Sequence, residues 1–425
     1  MPILTLPYGK SKLSATIPDD WLGLEALPKD VPPSPDVQAA VSAALRVPLG
    51  SPPLRDMTHP GMRVSVIVDD YTRKTPIDQV LPLILEELDA AGIARADVRI
   101  VIAPGSHRLM SQPEIIAKLG PVATGGYEII QALSSDLKQL VYLGETTLGI
   151  PAWINRCVAE ADFRIGIGMI TPHLDAGYSG GAKIILPGVC GTATIDAFHQ
   201  ASAFIQENQV GNVDAPLRHS LEQFVAEKVP LHFIANLILT LQGKVFGCVA
   251  GDAVQAHRAG VKYAQEVYGV PIERRYPVVI ANCYPYDQDL WQSVKGIWCG
   301  DLLVEDGGTL IVVSASPEGS QTHARLPAYI GQEAGELKDE LLAGKVRDPM
   351  AAATGIMVSN LRRRIHLALV SSGITQPDAQ AMHIPFYTKI EEALAEIVGR
   401  LPASRREGSV AVLPYAGATL PLYRA

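Results

Sequence analysis

Short unbroken runs of β-branched and apolar residues recur along the chain, each followed by polar residues and then by a stretch with apolar positions three and four apart. Continuous apolar runs of this kind read as strands buried on both faces, and the spacing that follows reads as helix, so the repeating unit is strand, loop, helix. The first unit has a strand at 63–68 (RVSVIV) running into DDYTRKTP, where Thr75, Pro76 and Asp78 read as an N-cap, a first-turn proline and a capping acid for a helix to about 91. The second has a strand at 98–103 ending in PGSHR, then a capping box from Ser111 to Glu114. The third has a strand at 163–170 that leads into a long connection at 171–200.

Other patterns complete the outline. Alternation at 2–6 and 12–17 predicts a small hairpin, 27–35 a proline-rich loop, and Ser34 with Pro35 the opening of a helix. A strand pair is expected at 231–239 and 244–249, a helix at 253–267, and a linker at 268–277. A second series begins with the strand VVIANC and the loop YPYD, where Asp287 reads as an N-cap. The helix after it would carry Gln288, Trp291, Gln292 and Lys295 on one face. Strands at 309–315, 366–372 and 409–417 alternate with helices at 332–343, 349–362 and 389–401. The expectation is an α/β protein of two domains with mostly parallel sheets, residues 1–272 and 273–425, with the active-site cleft between them. The extreme C-terminal tail is expected to pack back on the first domain.

Ligands of open α/β sheets bind beyond the carboxyl ends of the strands. Here three successive exit loops carry Asp69, Asp70, Thr72 and Arg73, then His107 and Arg108, then His173 and Lys183. The last loop, TPHLDAGYSGGAKIILPGVCGTATIDAFHQ, is the densest, with Gly177, Gly180 and Gly181 before Lys183 and with His199 beyond. Glycines so placed let backbone N–H groups turn toward one point and favour an anion. Any one of these histidines alone would as readily be a packed or capping residue, and Arg73 alone a surface ion pair. Their joint placement on binding-edge loops points to one shared site. Two nucleotide motifs fail. Ala182 and Ile184 flank Lys183, which excludes a Walker A loop, and GIGMIT lacks the third glycine of a dinucleotide fingerprint. His59, His219, His232, His257, His323, His366 and His383 lack a comparable setting and are expected to be structural.

Composition narrows the field. The 425 residues have a formal net charge of −8 and no Lys/Arg block, so no nucleic-acid partner is expected. No window approaches a membrane span and no targeting leader is evident, so the expectation is a cytoplasmic protein. Cys157, Cys190, Cys248, Cys283 and Cys299 are scattered without a CxxC, which supports neither a disulfide framework nor a zinc site.

Together DDYTRKTP, PGSHR, TPHLDAGYSGGAKIILPG with His199 beyond it, and YPYDQDLWQSVKG resemble the lactate racemase family, in that family's order from Asp69 to Lys295. The resemblance implies a nickel-pincer nucleotide cofactor joined covalently to Lys183, nickel ligated by His199, and His107 and His173 as an acid/base pair. It further implies that Arg73 holds the substrate, that Asp70, Thr72, Gly177, Gly180 and Gly181 lie at the cofactor, and that Trp291, Gln292 and Lys295 reach the substrate from the second domain. The partners it implies are a small 2-hydroxy acid and cofactor-synthesis proteins. Trp291 departs from the tyrosine of well-known members, and 348–359 offers no aromatic residue, which points to a different tail pocket.

These residue types suit racemisation of a 2-hydroxy acid. A carboxylate makes the C2 proton poorly acidic, so hydride removal through a transient 2-keto acid is the easier route, and a base must take the hydroxyl proton as hydride leaves. Imidazole titrates near neutrality, and two histidines can serve the two faces of a planar intermediate. Arginine binds both oxygens of a carboxylate. The residues by themselves also allow a hydro-lyase or hydrolase using a bare metal ion, or a nucleotide- or anion-binding protein without turnover.

Overall fold

The computed structural model describes residues 3–205 and 207–423. Two six-stranded sheets organise them. The first has the spatial order Val245–Gly251, Phe233–Leu239, Phe163–Met169, Val64–Asp69, Val98–Ala103, Glu128–Gln131, parallel except for the edge strand Val245–Gly251. Val64–Asp69 is buried along its whole length, its Val and Ile side chains in the core and its polar Ser65 and Asp69 partnered by Cys157 O and Lys118. From it the chain steps outward to Val98–Ala103 and Glu128–Gln131, then returns to pair Phe163–Met169 on its other side. The order reverses between Val64–Asp69 and Phe163–Met169, so their exit loops diverge and open a crevice at the carboxyl ends. The helix Ile77–Ala90 covers this sheet with Ile77, Val80, Leu81, Ile84 and Leu88, spaced three and four apart.

The second sheet is entirely parallel, in the order Phe386–Tyr387, His366–Ser371, Val304–Ser314, Tyr276–Asn282, Val410–Leu413, Leu22–Glu25. Its edge strand Leu22–Glu25 comes from the start of the chain, and the hairpin Ile3–Tyr8 with Ser11–Thr16 packs Leu4, Leu6, Ala15 and Ile17 on Val278, Ile280, Ile311 and Val313. Leu22–Glu25 thus forms an edge of the second sheet, and the hairpin, a separate two-stranded sheet, packs against it. An apolar hairpin face cannot be assigned to one core or the other by periodicity.

Several boundaries differ from expectation. The first helix is Val37–Arg46, capped by Asp36, whose side chain accepts from Ala39 N at 2.9 Å, so Pro35 lies outside it. Thr75 does not cap Ile77–Ala90, because its hydroxyl donates to the buried Asp69 carboxylate. The expected linker at 268–277 is a strand in part: Gly269–Ile272 pairs in parallel with the tail strand Leu420–Tyr423. The helix after YPYD is Leu290–Asp301, capped by Asp289 through Gln292 N at 2.7 Å. Asp287 instead accepts from Gly9 N at 2.8 Å, and Gln288 lies outside the helix, its amide donating to Pro285 O at 3.2 Å. The capping box at Ser111 and Glu114 and the hairpin form as read.

Candidate active site

The exit loop of Val64–Asp69 is built around two buried carboxylates. Lys118 reaches back from the helix Gln112–Leu119 to lie 2.7 Å from Asp69 and donates to Arg73 O at 2.8 Å, which fixes the backbone that carries Arg73. Asp70 accepts from Thr72 N at 3.1 Å, from the Thr72 hydroxyl at 2.6 Å, and from His107 Nδ1 at 2.8 Å. Burial works to raise the Asp70 carboxyl, but the hydrogen bonds from His107 and Thr72 and the charge of Arg73 hold it below its ordinary value. An ionised Asp70 fixes the proton of neutral His107 on Nδ1 and leaves the lone pair on Nε2.

The loop after Phe163–Met169 folds back as a miniature antiparallel pair, Pro172–His173 with Gly177–Tyr178. Ser179 pins its ends, its hydroxyl donating to Met169 O at 2.8 Å and accepting from Thr171 N at 3.0 Å. Arg218, fully buried, donates to the carbonyls of Ala176, Tyr178 and Gly180. The glycines serve close packing more than anion binding. A Cβ on Gly177 (φ +69°) would stand 1.7 Å from Asn212 O, and Gly177 lies off the cavity. The Gly181 N–H donates to Asn236 Oδ1 at 2.7 Å. Gly180 and Gly181 do line the cavity, and Lys183 follows on the short turn Gly181–Ile184.

His173 Nδ1 accepts from Asp175 N at 3.2 Å, so its neutral ring carries the proton on Nε2, the converse of His107. Burial, reinforced by Lys183, Lys295 and Arg73, keeps its pKa well below the usual value. His199, on the helix Thr192–Ser202, donates from Nδ1 to Ile195 O at 2.8 Å and thereby keeps Nε2 unprotonated. Burial pushes its pKa down to about 4, against that hydrogen bond. Burial also pushes the Lys183 amine down to about 7, opposed by Asp175 and helped by Arg218 and Arg73. From the second domain, Trp291, Gln292 and Lys295 on Leu290–Asp301 close the far wall. Lys295 Nζ donates to Gln292 Oε1 at 2.7 Å and lies 4.0 Å from the Tyr286 ring centroid, and burial with Arg73 and Lys183 lowers its pKa well below normal.

One cavity of about 160 Å³ is lined by Asp70, Thr72, Arg73, His107, His173, Lys183, His199, Trp291, Gln292 and Lys295. Three exit loops of the first sheet, one helix beside it and one helix of the second domain thus meet at the crevice. One cavity residue escaped the sequence reading, and one residue read as structural lies just behind the cavity wall. Asp175 also lines the cavity, with Oδ1 buried and without a hydrogen-bond partner among the described residues, and burial raises its carboxyl to about 6 against Lys183 and Lys295. Its position two residues after His173 was the available signal. His323, read as structural, donates from Nδ1 to Asp348 at 2.7 Å and lies 4.1 Å from the Trp291 ring, centroid to centroid. No pattern around GSQTHARL marks it.

The arrangement has close counterparts. Residues 8–211 match the model of the lactate racemase N-terminal domain and residues 276–417 that of the lactate racemase C-terminal domain. The chain is 32% identical over 324 residues to the lactate racemase of Lactiplantibacillus plantarum, covering 75% of this chain and 76% of that one. It belongs to the lactate racemase family. A second member, the lactate racemase of Thermoanaerobacterium thermosaccharolyticum, is 31% identical over the same shares of the two chains. The lactate racemase apoprotein structure from T. thermosaccharolyticum superposes with a TM-score of 0.86 at 25% identity, with both chains covered in full. As a lactate racemase family member the chain is an enzyme of the isomerase class with a small-molecule substrate, built as two α/β domains with mostly parallel sheets. Among the described residues no helix is long and apolar enough to cross a membrane.

Proposed function

We propose that this protein inverts C2 of a 2-hydroxy acid, with His107 and His173 as the acid/base pair. The observation that carries this reading is the opposed hydrogen bonding at Nδ1 of two imidazoles lining one cavity, a carboxylate facing one and a backbone N–H the other. His107 bonds through Nδ1 to Asp70 and so offers an acceptor at Nε2, while His173 accepts at Nδ1 and so offers a donor at Nε2. A racemase needs one group to take the hydroxyl proton from one enantiomer and another to return it to the opposite product, with roles exchanged in the reverse direction.

The donor set fits the cofactor that family membership implies. Arg73, Lys183 and Lys295 line the cavity beside Asp69, Asp70 and Asp175, and with Asp69 paired to Lys118 and Asp70 to His107 the Arg73 guanidinium is the cation placed to meet an anionic group. Lys183 brings an amine whose proton is far more easily lost than that of an exposed lysine, suited to covalent attachment. His199 brings a neutral ring nitrogen. No three His, Cys, Asp or Glu side chains gather as a metal site among the described residues, so a nickel ion at His199 would take its other donors from the cofactor itself. A nickel-pincer nucleotide bound there supplies reversible hydride acceptance. The chain's own residues do the rest. Arg73 and Lys295 grip the carboxylate, Gln292 orients Lys295, Thr72 holds Arg73 Nη1 at 2.9 Å and Asp70 fixes His107. Gly180 and Gly181 let the backbone approach the cofactor, and Trp291 covers the cavity and keeps out water.

The reading also assigns cofactor-synthesis proteins as partners and the cytoplasm as the compartment where they meet this chain. The test is co-production with those proteins in nickel-supplemented cells, followed by peptide mapping and a chiral assay. A mass increment on Lys183 together with interconversion of 2-hydroxy acid enantiomers is the expected result. An unmodified Lys183, in a preparation where a known racemase is modified, overturns the cofactor assignment.

A further inference from the structure

A second cavity, of about 620 Å³, adjoins the reacting one and shares Arg73, His107 and Gln292 with it. Lys183 and His199 line only the smaller chamber, so the larger one opens from the substrate grip in a direction that avoids both. Resting on the racemase reading, we infer that it receives the side chain of the substrate, and that the substrate class is 2-hydroxy acids with an aromatic side chain.

The size gives room for a side chain far larger than the methyl of lactate. An apolar cavity on the order of 150 Å³ holds a benzene ring, and a methyl group would leave most of this chamber to water. The lining gives the chemistry. Tyr71, Tyr268 and Tyr286 present rings, and Leu239, Leu241 and Met169 supply apolar surface. Tyr268 is held by its hydroxyl on Leu239 O at 2.6 Å, and Tyr286 lies beneath the Lys295 ammonium. Aromatic walls favour an aromatic guest edge-on or offset, and a thioether adds contact at a ring edge.

The charges argue against a second acidic group on the substrate. Arg108 is neutralised by a two-pronged pair with Glu114 at 2.7 and 2.9 Å and caps the Tyr71 ring at 4.0 Å. Lys74 lies 5.9 Å from the Tyr284 ring centroid, and Glu318 adds a negative charge to the same lining. A distal carboxylate would meet no uncommitted cluster of cations there. Both enantiomers of an aromatic substrate can keep the ring in this chamber while the configuration at C2 changes.

The test is equilibrium binding by calorimetry, with the cofactor-loaded protein, of 3-phenyllactate, lactate and 2-hydroxyhexanoate, alongside a chiral turnover assay. Binding of 3-phenyllactate about tenfold or more tighter than the other two is expected. Leu241→Trp, which fills the chamber, should erase that preference, and Tyr71→Ala, on a half-exposed loop, should weaken it if the tryptophan variant fails to fold. Lactate or 2-hydroxyhexanoate binding as tightly as 3-phenyllactate, or a preference untouched in both variants, overturns the assignment. Variant-sensitive binding of 3-phenyllactate without inversion of any acid upholds the chamber and overturns the racemase reading instead.

Discussion

At the scale of single residues, the cavity forces ionisable groups away from their ordinary states, and the direction is measurable. Burial lowers Lys183 from 10.5 to about 7, so between those values the unfolded chain holds a proton that the folded one lacks. Stability of the cofactor-free protein should therefore rise with pH across that window, and Lys183→Met should flatten the rise. Asp175, raised from 3.8 to about 6, works oppositely in a separate window, where the folded state holds the extra proton and stability falls as pH rises. Denaturation at a series of pH values separates the two. Asp70→Asn is the second residue-scale prediction. Its amide can donate to His107 Nδ1, which moves the ring proton to Nε2 and removes the base, so kcat should fall about 10²–10⁴-fold. Steady-state kinetics with the loaded enzyme would expose the reading as wrong if kcat held while only KM rose.

At the scale of elements, the loop at 171–184 keeps its shape through contacts made by residues outside it. Gly177 faces Asn212 O so closely that Gly177→Ala combines a clash with a left-handed backbone, and a loss of about 2–4 kcal/mol is expected. Arg218 satisfies three carbonyls of the same loop, and Arg218→Met strands them in the interior, at about 3 kcal/mol or more. Urea melts of both variants test this, and a change below about 1 kcal/mol in either removes the claim that the loop depends on that residue. Asn236, in the middle of the neighbouring strand, acts in the same way, and Ser179 within the loop ties it to Met169 at the end of its own strand.

At the scale of the whole molecule, the two sheets are stitched together at several places besides the site. The tail strand Leu420–Tyr423 pairs with Gly269–Ile272, and a Cβ on Gly211 would lie 2.5 Å from the Leu420 side chain. Asn208 donates to Trp298 O at 2.7 Å and to Asp301 at 2.8 Å. Leu420 is 1% exposed, so Leu420→Ala should cost about 2–4 kcal/mol. A thermal melt in which this variant matched the parent would show that the tail contributes nothing to holding the halves together. The position of Trp291, Gln292 and Lys295 over the first sheet's loops depends on this docking.

The sequence by itself determined the central strands, because a strand buried on both faces is rich in β-branched and apolar residues, as Val64–Asp69 and Tyr276–Asn282 are, while short edge strands such as Glu128–Gln131 and Phe386–Tyr387 went unread. It also singled out the loops that meet at one cavity, since Arg73, His107, His173 and Lys183 all lie on the exit loops of such strands. Only the tertiary structure decided the caps at Asp36 and Asp289, because neighbouring acids at 287 and 289 are equally able to cap and the choice rests on which one a distant N–H, that of Gly9, has already claimed. Only it decided that Leu22–Glu25 completes the second sheet with the hairpin packed on it, and that His323 lies against Trp291, contacts between positions far apart in the chain that leave no periodic trace. The protonation of the two imidazoles belongs here as well. His107 and His173 are the same residue type on similar loops, and what separates them is whether a carboxylate or an N–H happens to face Nδ1.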